Sequence, residues 1–143
     1  MKKSTLFFTL FFVSLRLLAQ EDAENCKDHP MFNRMPNMFI SQCSQNYDQV
    51  DVPFTQTKSE TKEGNKTFIE YVYNTESGVP APSFFQIVKN FENAVIKKGG
   101  KKIGYDKDAG FGTFFIKSGN KDVWIVLNDF SGTSEGNFQL TLL

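Results

Sequence analysis

The chain of 143 residues has one histidine, one tryptophan, five prolines and only two cysteines, and these shortages narrow the chemistry open to it. A single imidazole leaves little room for a histidine-rich metal centre or for a serine or cysteine nucleophile with its own base. Gly-x-Gly-x-x-Gly is missing, as is a phosphate-binding loop with its lysine. Long hydrophobic runs are lacking too. The longest, Thr5 to Leu15, has 11 residues, well short of the roughly 20 that a bilayer-spanning helix needs.

That run reads as part of an address. Lys2 and Lys3 precede it and Leu17-Leu18-Ala19 leads into polar sequence, the layout of a secretory signal peptide over residues 1–19. Cys26 is not preceded by a lipobox-like Leu-Ala-Gly run, which argues against N-terminal lipidation. Cleavage after Ala19 removes Lys2, Lys3 and Arg16, leaving 13 basic and 16 acidic side chains on 124 residues, a formal charge of −3. A mildly acidic exported domain has no electrostatic reason to seek nucleic acid or anionic lipid, and no membrane-spanning segment is expected after cleavage. Residues 20–143 amount to one domain, large enough to bury a core.

Cys26 and Cys43 are expected to pair in an oxidising compartment. The enclosed residues hold Pro30 and Pro36 and no sustained periodicity, which predicts an ordered loop with one short helical turn. A metal site using Cys26, Asp28, His29 and Cys43 lacks any recognised spacing. Beyond the loop the period becomes two. Val50, Val52 and Phe54 share one face of a strand that Pro53 confines to an edge. The polar stretch 58–66 around Gly64 reads as a solvated hairpin connection, and Thr67 to Asn74 as a strand. Asn65-Lys66-Thr67 fits an N-glycosylation sequon but reads more simply as a turn.

The helix signal is the strongest in the chain. Ser83 and Gln86 form a capping box, Phe84, Ile87, Val88, Phe91, Ala94 and Val95 recur at helical spacing, and Gly99-Gly100 supplies the stop for a helix over residues 84–98. Three or four short strands follow, over 101–105, 112–117, 122–128 and 137–143. Val123, Ile125 and Leu127 face opposite to Trp124 and Val126, and two apolar faces indicate a central strand. The expected fold is α+β: an antiparallel sheet of about five or six strands in β-β-α-β-β-β order, with one amphipathic helix on a face and the disulfide-closed loop at its start.

The residues left for function are few. Asp106 and Asp108 fall in a predicted turn. The rings of Trp124 and Phe115 are either covered by the disulfide loop, whose Met31, Phe32, Met35, Met38, Phe39 and Ile40 want burial, or form a binding surface; the lid reading is favoured. Asp28, His29 and Arg34 are explained by neither packing nor turns. Arg34 could pair with Asp28 and pin the loop, or these groups could face a partner.

The run Cys26-Lys27-Asp28-His29-Pro30-Met31-Phe32-Asn33-Arg34-Met35-Pro36, with Phe39-Ile40 and Cys43, resembles a Gram-negative envelope domain of unknown function. The resemblance continues through Ser83-x-x-Gln86-Ile87-Val88-x-Asn90-Phe91-x-Asn93-Ala94, Gly99-Gly100 and Lys121-Asp122-Val123-Trp124. That domain often stands ahead of an OmpA-like peptidoglycan-binding domain. The residues up to Leu143 hold no counterpart of the OmpA-like part, so its peptidoglycan binding is not carried over. The resemblance implies an envelope location, periplasmic or at the outer membrane or released, and an accessory, non-enzymatic role without a cofactor.

Three functional readings follow. The first is an exported interaction module presenting Lys27, Asp28, His29 and Arg34, with Trp124 as a further binding residue, to an envelope protein or glycan. The second is a carrier of a small apolar ligand between the helix and an aromatic sheet face. The third, an enzyme, would need His29 beside Asp28 in a cleft.

Overall fold

The computed structural model describes residues 21–132 and 135–143; the leader expected over residues 1–19 lies outside them. Helix α1 runs from Phe84–Lys97. Ser83 Oγ accepts from the Gln86 amide and Gln86 Oε1 accepts from the Ser83 amide, the expected capping box, an arrangement that contributes about 1 kcal/mol. Gly99 adopts φ 76° past the last turn, a left-handed stop that a side chain would strain. Phe84, Ile87, Val88, Phe91 and Val95 form the buried stripe.

The stripe lies on a single antiparallel sheet of six strands, in the order β1-β2-β6-β5-β4-β3. These are β1 (Met38–Thr55), β2 (Lys58–Tyr73), β3 (Lys101–Asp106), β4 (Phe111–Ser118), β5 (Lys121–Asp129) and β6 (Phe138–Leu142). Four strands follow the helix, within the three or four expected, though the order written with three is one short. The last of them inserts between β2 and β5, so the fold closes only when the C-terminal strand arrives. A short 3-10 turn, Thr75–Ser77, links β2 to the approach of α1.

Two expectations about the first half of the chain are corrected. Residues 58–66 are strand, not a hairpin connection; the turn is Gln56-Thr57, because Thr55 pairs directly with Lys58. Gly64 and the sequon at Asn65 therefore lie within β2. The polar composition was misleading because much of this part of the hairpin faces water, and a strand with little apolar face leaves little alternation to detect. Likewise the disulfide-closed segment contains no helical turn and is not all loop. Strand β1 starts at Met38, so Cys43 sits on a strand opposite Ile69. Cys26 and Cys43 are joined with their Cα atoms 5.7 Å apart, which removes both from the metal reading. Closing this loop contributes roughly 3 kcal/mol in the chain-entropy account.

Both sheet faces are covered, by different elements. On the helix side, Phe32 of the disulfide loop packs on Phe91, with ring centroids 5.2 Å apart, while Phe138 meets Phe91 edge-on and stacks on Tyr71. Ile40, Ile69, Phe114, Ile125, Leu127 and Leu140 complete this core and are essentially inaccessible to solvent. Burying each such side chain is worth about 1.5–3 kcal/mol. The opposite face is covered by the distal part of the β1–β2 hairpin, which folds back across β3, β4 and β5. Val52 is fully buried there, Thr113 Oγ1 donates to the Pro53 carbonyl at 2.6 Å, and Trp124 lies between Phe54 and Phe115. The Lys62 ammonium sits 5.1 Å from the Trp124 ring centroid. The lid over Trp124 is therefore the hairpin arm and not the disulfide loop, whose apolar side chains serve the helix side.

The arm docks where β3 has no side chain. A Cβ at Gly104 would run into the Phe54 carbonyl, which is backbone and cannot rotate aside. Gly104→Ala is expected to destabilise the fold by about 1–3 kcal/mol through forced separation of arm and sheet. Denaturant unfolding followed by Trp124 fluorescence checks this: the midpoint should fall and the native emission should shift to the red. Gly119→Ala, where a Cβ meets nothing within 4 Å but φ is +62°, separates loss of space from backbone strain.

Candidate functional site

The residues singled out in the disulfide loop come together at the end of the sheet where β1 is the edge strand. Arg34 organises them. Its Nη1 and Nη2 donate to the two Asp22 oxygens at 2.5 and 2.6 Å, and its Nε lies 3.0 and 2.9 Å from the Asp28 oxygens. Asp22 also accepts from the Ile40 amide at 2.8 Å, and the Ala23 amide donates to the Ile40 carbonyl at 2.7 Å. The segment before the disulfide is thus laid along the start of the β1 edge. Tyr71, on β2, donates its hydroxyl to Asp28 at 2.8 Å, and the guanidinium stands 5.9 Å from the Tyr71 ring centroid.

Charge and burial explain the protonation states. The Arg34 hydrogen bond holds the Asp22 carboxyl below the usual carboxylate range. The Asp22 bond keeps the guanidinium charged at any accessible pH. Burial, reinforced by the Asp28 carboxylate, pushes the Tyr71 hydroxyl well above the ordinary tyrosine value, so it stays a donor. Burial lowers the His29 pKa from its ordinary value, which makes the neutral ring the resting form near pH 7. Its Nδ1 accepts from the Met31 amide at 3.3 Å, which assigns the remaining proton to Nε2.

The pin consumes two of the candidate residues. Asp28 and Arg34 are engaged with each other and with Asp22 and Tyr71, and Asp28 makes none of these bonds to His29. Lys27 is exposed beside them. Trp124 is not brought to this place: it lies on the opposite sheet face, under the hairpin arm. Asp22 and Tyr71 carried no signal in the sequence, because an aspartate in a polar run and a tyrosine in a strand acquire a role only when the fold places them on Arg34.

What the pinned loop leaves open is a cleft of about 400 Å³ between itself and the β1–β2 ribbon, lined by Lys27, Asp28, His29, Gln45, Thr67 and Ile69 among others. His29 and Thr67 also line a second cleft of about 630 Å³ that runs toward Asn65 and Lys121. A shallower depression around Tyr47 continues from Gln45 and Thr67. On this ribbon face Gln45 pairs across the strands with Thr67, and Tyr47 with Asn65. The Gln45 amide donates to Thr67 Oγ1 at 3.4 Å. Among the described residues no group of three His, Cys, Asp or Glu side chains is placed to hold a metal ion, and no helix is long and apolar enough to cross a membrane.

No protein-family model, curated protein or solved structure matches this chain. The reading of the site therefore rests on its geometry.

Replacing Arg34 by Ala leaves two carboxylates facing each other without their cation. With all three groups about a quarter to a third exposed, the expected loss is about 1–2 kcal/mol after screening by solvent. Folding lowers the Asp22 pKa, so its contribution is fully present above the unfolded value of about 3.8 and is lost as pH falls through the folded value. Thermal unfolding from pH 7 to pH 2 should show the gap between parent and Arg34→Ala narrowing toward the acid end. A constant gap would mean that the ion pair contributes nothing beyond packing.

Proposed function

We propose that the protein is a non-enzymatic accessory module of the cell envelope that engages an envelope protein or glycan through the cleft between its disulfide-held loop and the β1–β2 ribbon. The observation that carries this reading is that the loop is fixed from behind while its front stays open: Arg34 and the disulfide tie it to the sheet, and Lys27, His29, Gln45 and Thr67 line an accessible polar cleft. Such pre-organisation lowers the entropic cost of recognition. The envelope location is supported by the leader-like segment, by the disulfide, which persists in oxidising compartments, and by the resemblance of the loop residues.

The two other readings find less support. Acid–base catalysis by His29 would draw on Asp28, which is committed to Arg34 and Tyr71. A carrier of an apolar ligand would use the space between helix and sheet, where Phe32, Phe91, Phe138 and Tyr71 are in ring-to-ring contact. The aromatic residues on the other face are occupied by the arm.

The test is capture from detergent-solubilised Gram-negative envelope with the oxidised protein. It is run beside a Lys27→Ala, Gln45→Ala double variant, whose exposed side chains leave the core untouched, and beside Phe85→Ala on the helix surface. One component recovered by the parent and by Phe85→Ala, and reduced at least about tenfold with the double variant, is the expected result, a difference of about 1.4 kcal/mol in binding. Equal recovery by all three would move the contact surface away from the cleft and sink the assignment.

A further inference from the structure

The cleft and the ribbon face beside it differ from ordinary surface in how their charges are disposed. Asp28 is closed on Arg34, and Lys66 is closed on Asp48 on the other side of the ribbon. Between these pairs the face offers, along the strands, the amides of Gln45 and Asn65, the hydroxyl of Thr67, and the imidazole of His29 with Nδ1 already satisfied and an Nε2–H to donate; the charged side chains flank this row, Lys27 at the loop end and Glu63 next along β2 from Asn65. Carboxamides and hydroxyls both donate and accept. At the end of this row stands Tyr47, 68 % exposed, the most exposed of the large apolar side chains among the described residues. It sits opposite Asn65 on a two-stranded ribbon whose backbone is fixed by continuous pairing from Gln42 to Pro53.

A peptide partner would ask for something else. It would seek deep apolar pockets for anchoring side chains or a fixed charge pattern, and the depression around Tyr47 is shallow and lined by Gln45, Asn46, Asn65, Lys66 and Thr67. A pyranose chain presents equatorial hydroxyls and acetamido groups, which pair with planar amides and hydroxyls, and an apolar C–H face, which stacks on an exposed ring. A ring with two side-chain torsions delivers that contact area at small entropic cost.

We infer that the row His29, Thr67, Gln45, Asn65 and Tyr47 is a binding site for an uncharged glycan, with Tyr47 as the stacking platform and the amides reading hydroxyl or acetamido groups. This rests on the interaction-module reading and narrows its ligand to one class.

The experiment is an NMR titration of the ¹⁵N-labelled oxidised protein with chitotetraose and, separately, cellotetraose. Amide shifts confined to residues 45–47 and 65–67 and to the loop around His29, together with at least about a tenfold loss of affinity in Tyr47→Ala, are the expected outcome. Asn65→Ala should weaken binding as well, while Phe85→Ala on the helix surface leaves it unchanged. Each variant is first shown to keep the parent's dispersed spectrum. Shifts that lie elsewhere, or that persist undiminished in Tyr47→Ala, overturn the site. No shift with either sugar, while capture of an envelope protein still depends on Lys27 and Gln45, overturns the glycan class and leaves the module reading standing. Loss of both removes the two together.

Discussion

The arrangement of the candidate site depends on one guanidinium. Arg34 is the point where the segment before the disulfide, the loop inside it and the start of β1 meet: Asp22, Asp28 and the Met38 carbonyl all accept from it. A disulfide alone would fix Cys26 against Cys43 and leave the residues between them to wander. The forked donors fix orientation as well as distance, because five N–H groups in a rigid plane match two carboxylates in only a few ways. Lysine would supply the charge without the plane. The loop is thereby turned so that Phe32 faces the helix core and His29 faces the ribbon.

A second constraint comes from the sheet itself. A strand such as β5, apolar on both sides, cannot stay exposed on either. One helix covers one face, and the described residues hold no second α-helix to cover the other. It uses the hairpin, extending β1 and β2 well past the part that pairs with β6 and folding the excess back across the sheet. The fit requires Gly104 at the crossing and a neutral meeting of backbones, with Thr113 donating to the Pro53 carbonyl. On the same inner face Glu70 is buried. Burial alone would raise its pKa, but donations from Gln139, Ser41 and Gln42 outweigh that and hold it below the ordinary value. Three strands thus share one carboxylate, which ties β6 to the hairpin on the face away from the helix.

How much of this was legible depended on whether the signal was local. The capping box, the helical stripe, the glycine stop and the alternation of β5 are set by residues within a turn or two of each other, and each was readable to within a residue or so. The α+β class followed from them. The extension of the hairpin was not readable, because its outward face is polar and its inward face relies on partners some 60 positions away, as between Pro53 and Thr113. Gly64 reads as a turn residue for the same reason. It lies beside Leu143, a contact that exists only once β6 is in place. In the site, the Arg34–Asp28 pair was visible as one of two options, whereas Asp22 and Tyr71 were not, since nothing near them in sequence marks them as its partners.

The same pairing that stabilises the loop also sets the character of the surface beside it. Each charge closed on a neighbour is a charge withdrawn from recognition, and the withdrawal is selective: it takes Asp28 and Arg34 out of play and leaves a row of amides, a hydroxyl and the neutral imidazole, flanked by Lys27 and Glu63. A surface built this way discriminates by the geometry of hydrogen bonds and by the fit of a ring, and long-range attraction adds little to its rate of encounter. Its affinity for a single unit is therefore modest, and useful retention would come from several units of one chain meeting Gln45, Asn65 and Tyr47 in sequence along a ribbon held by continuous strand pairing. The length of that ribbon, greater than packing against β6 requires, is the feature that makes such an extended contact available.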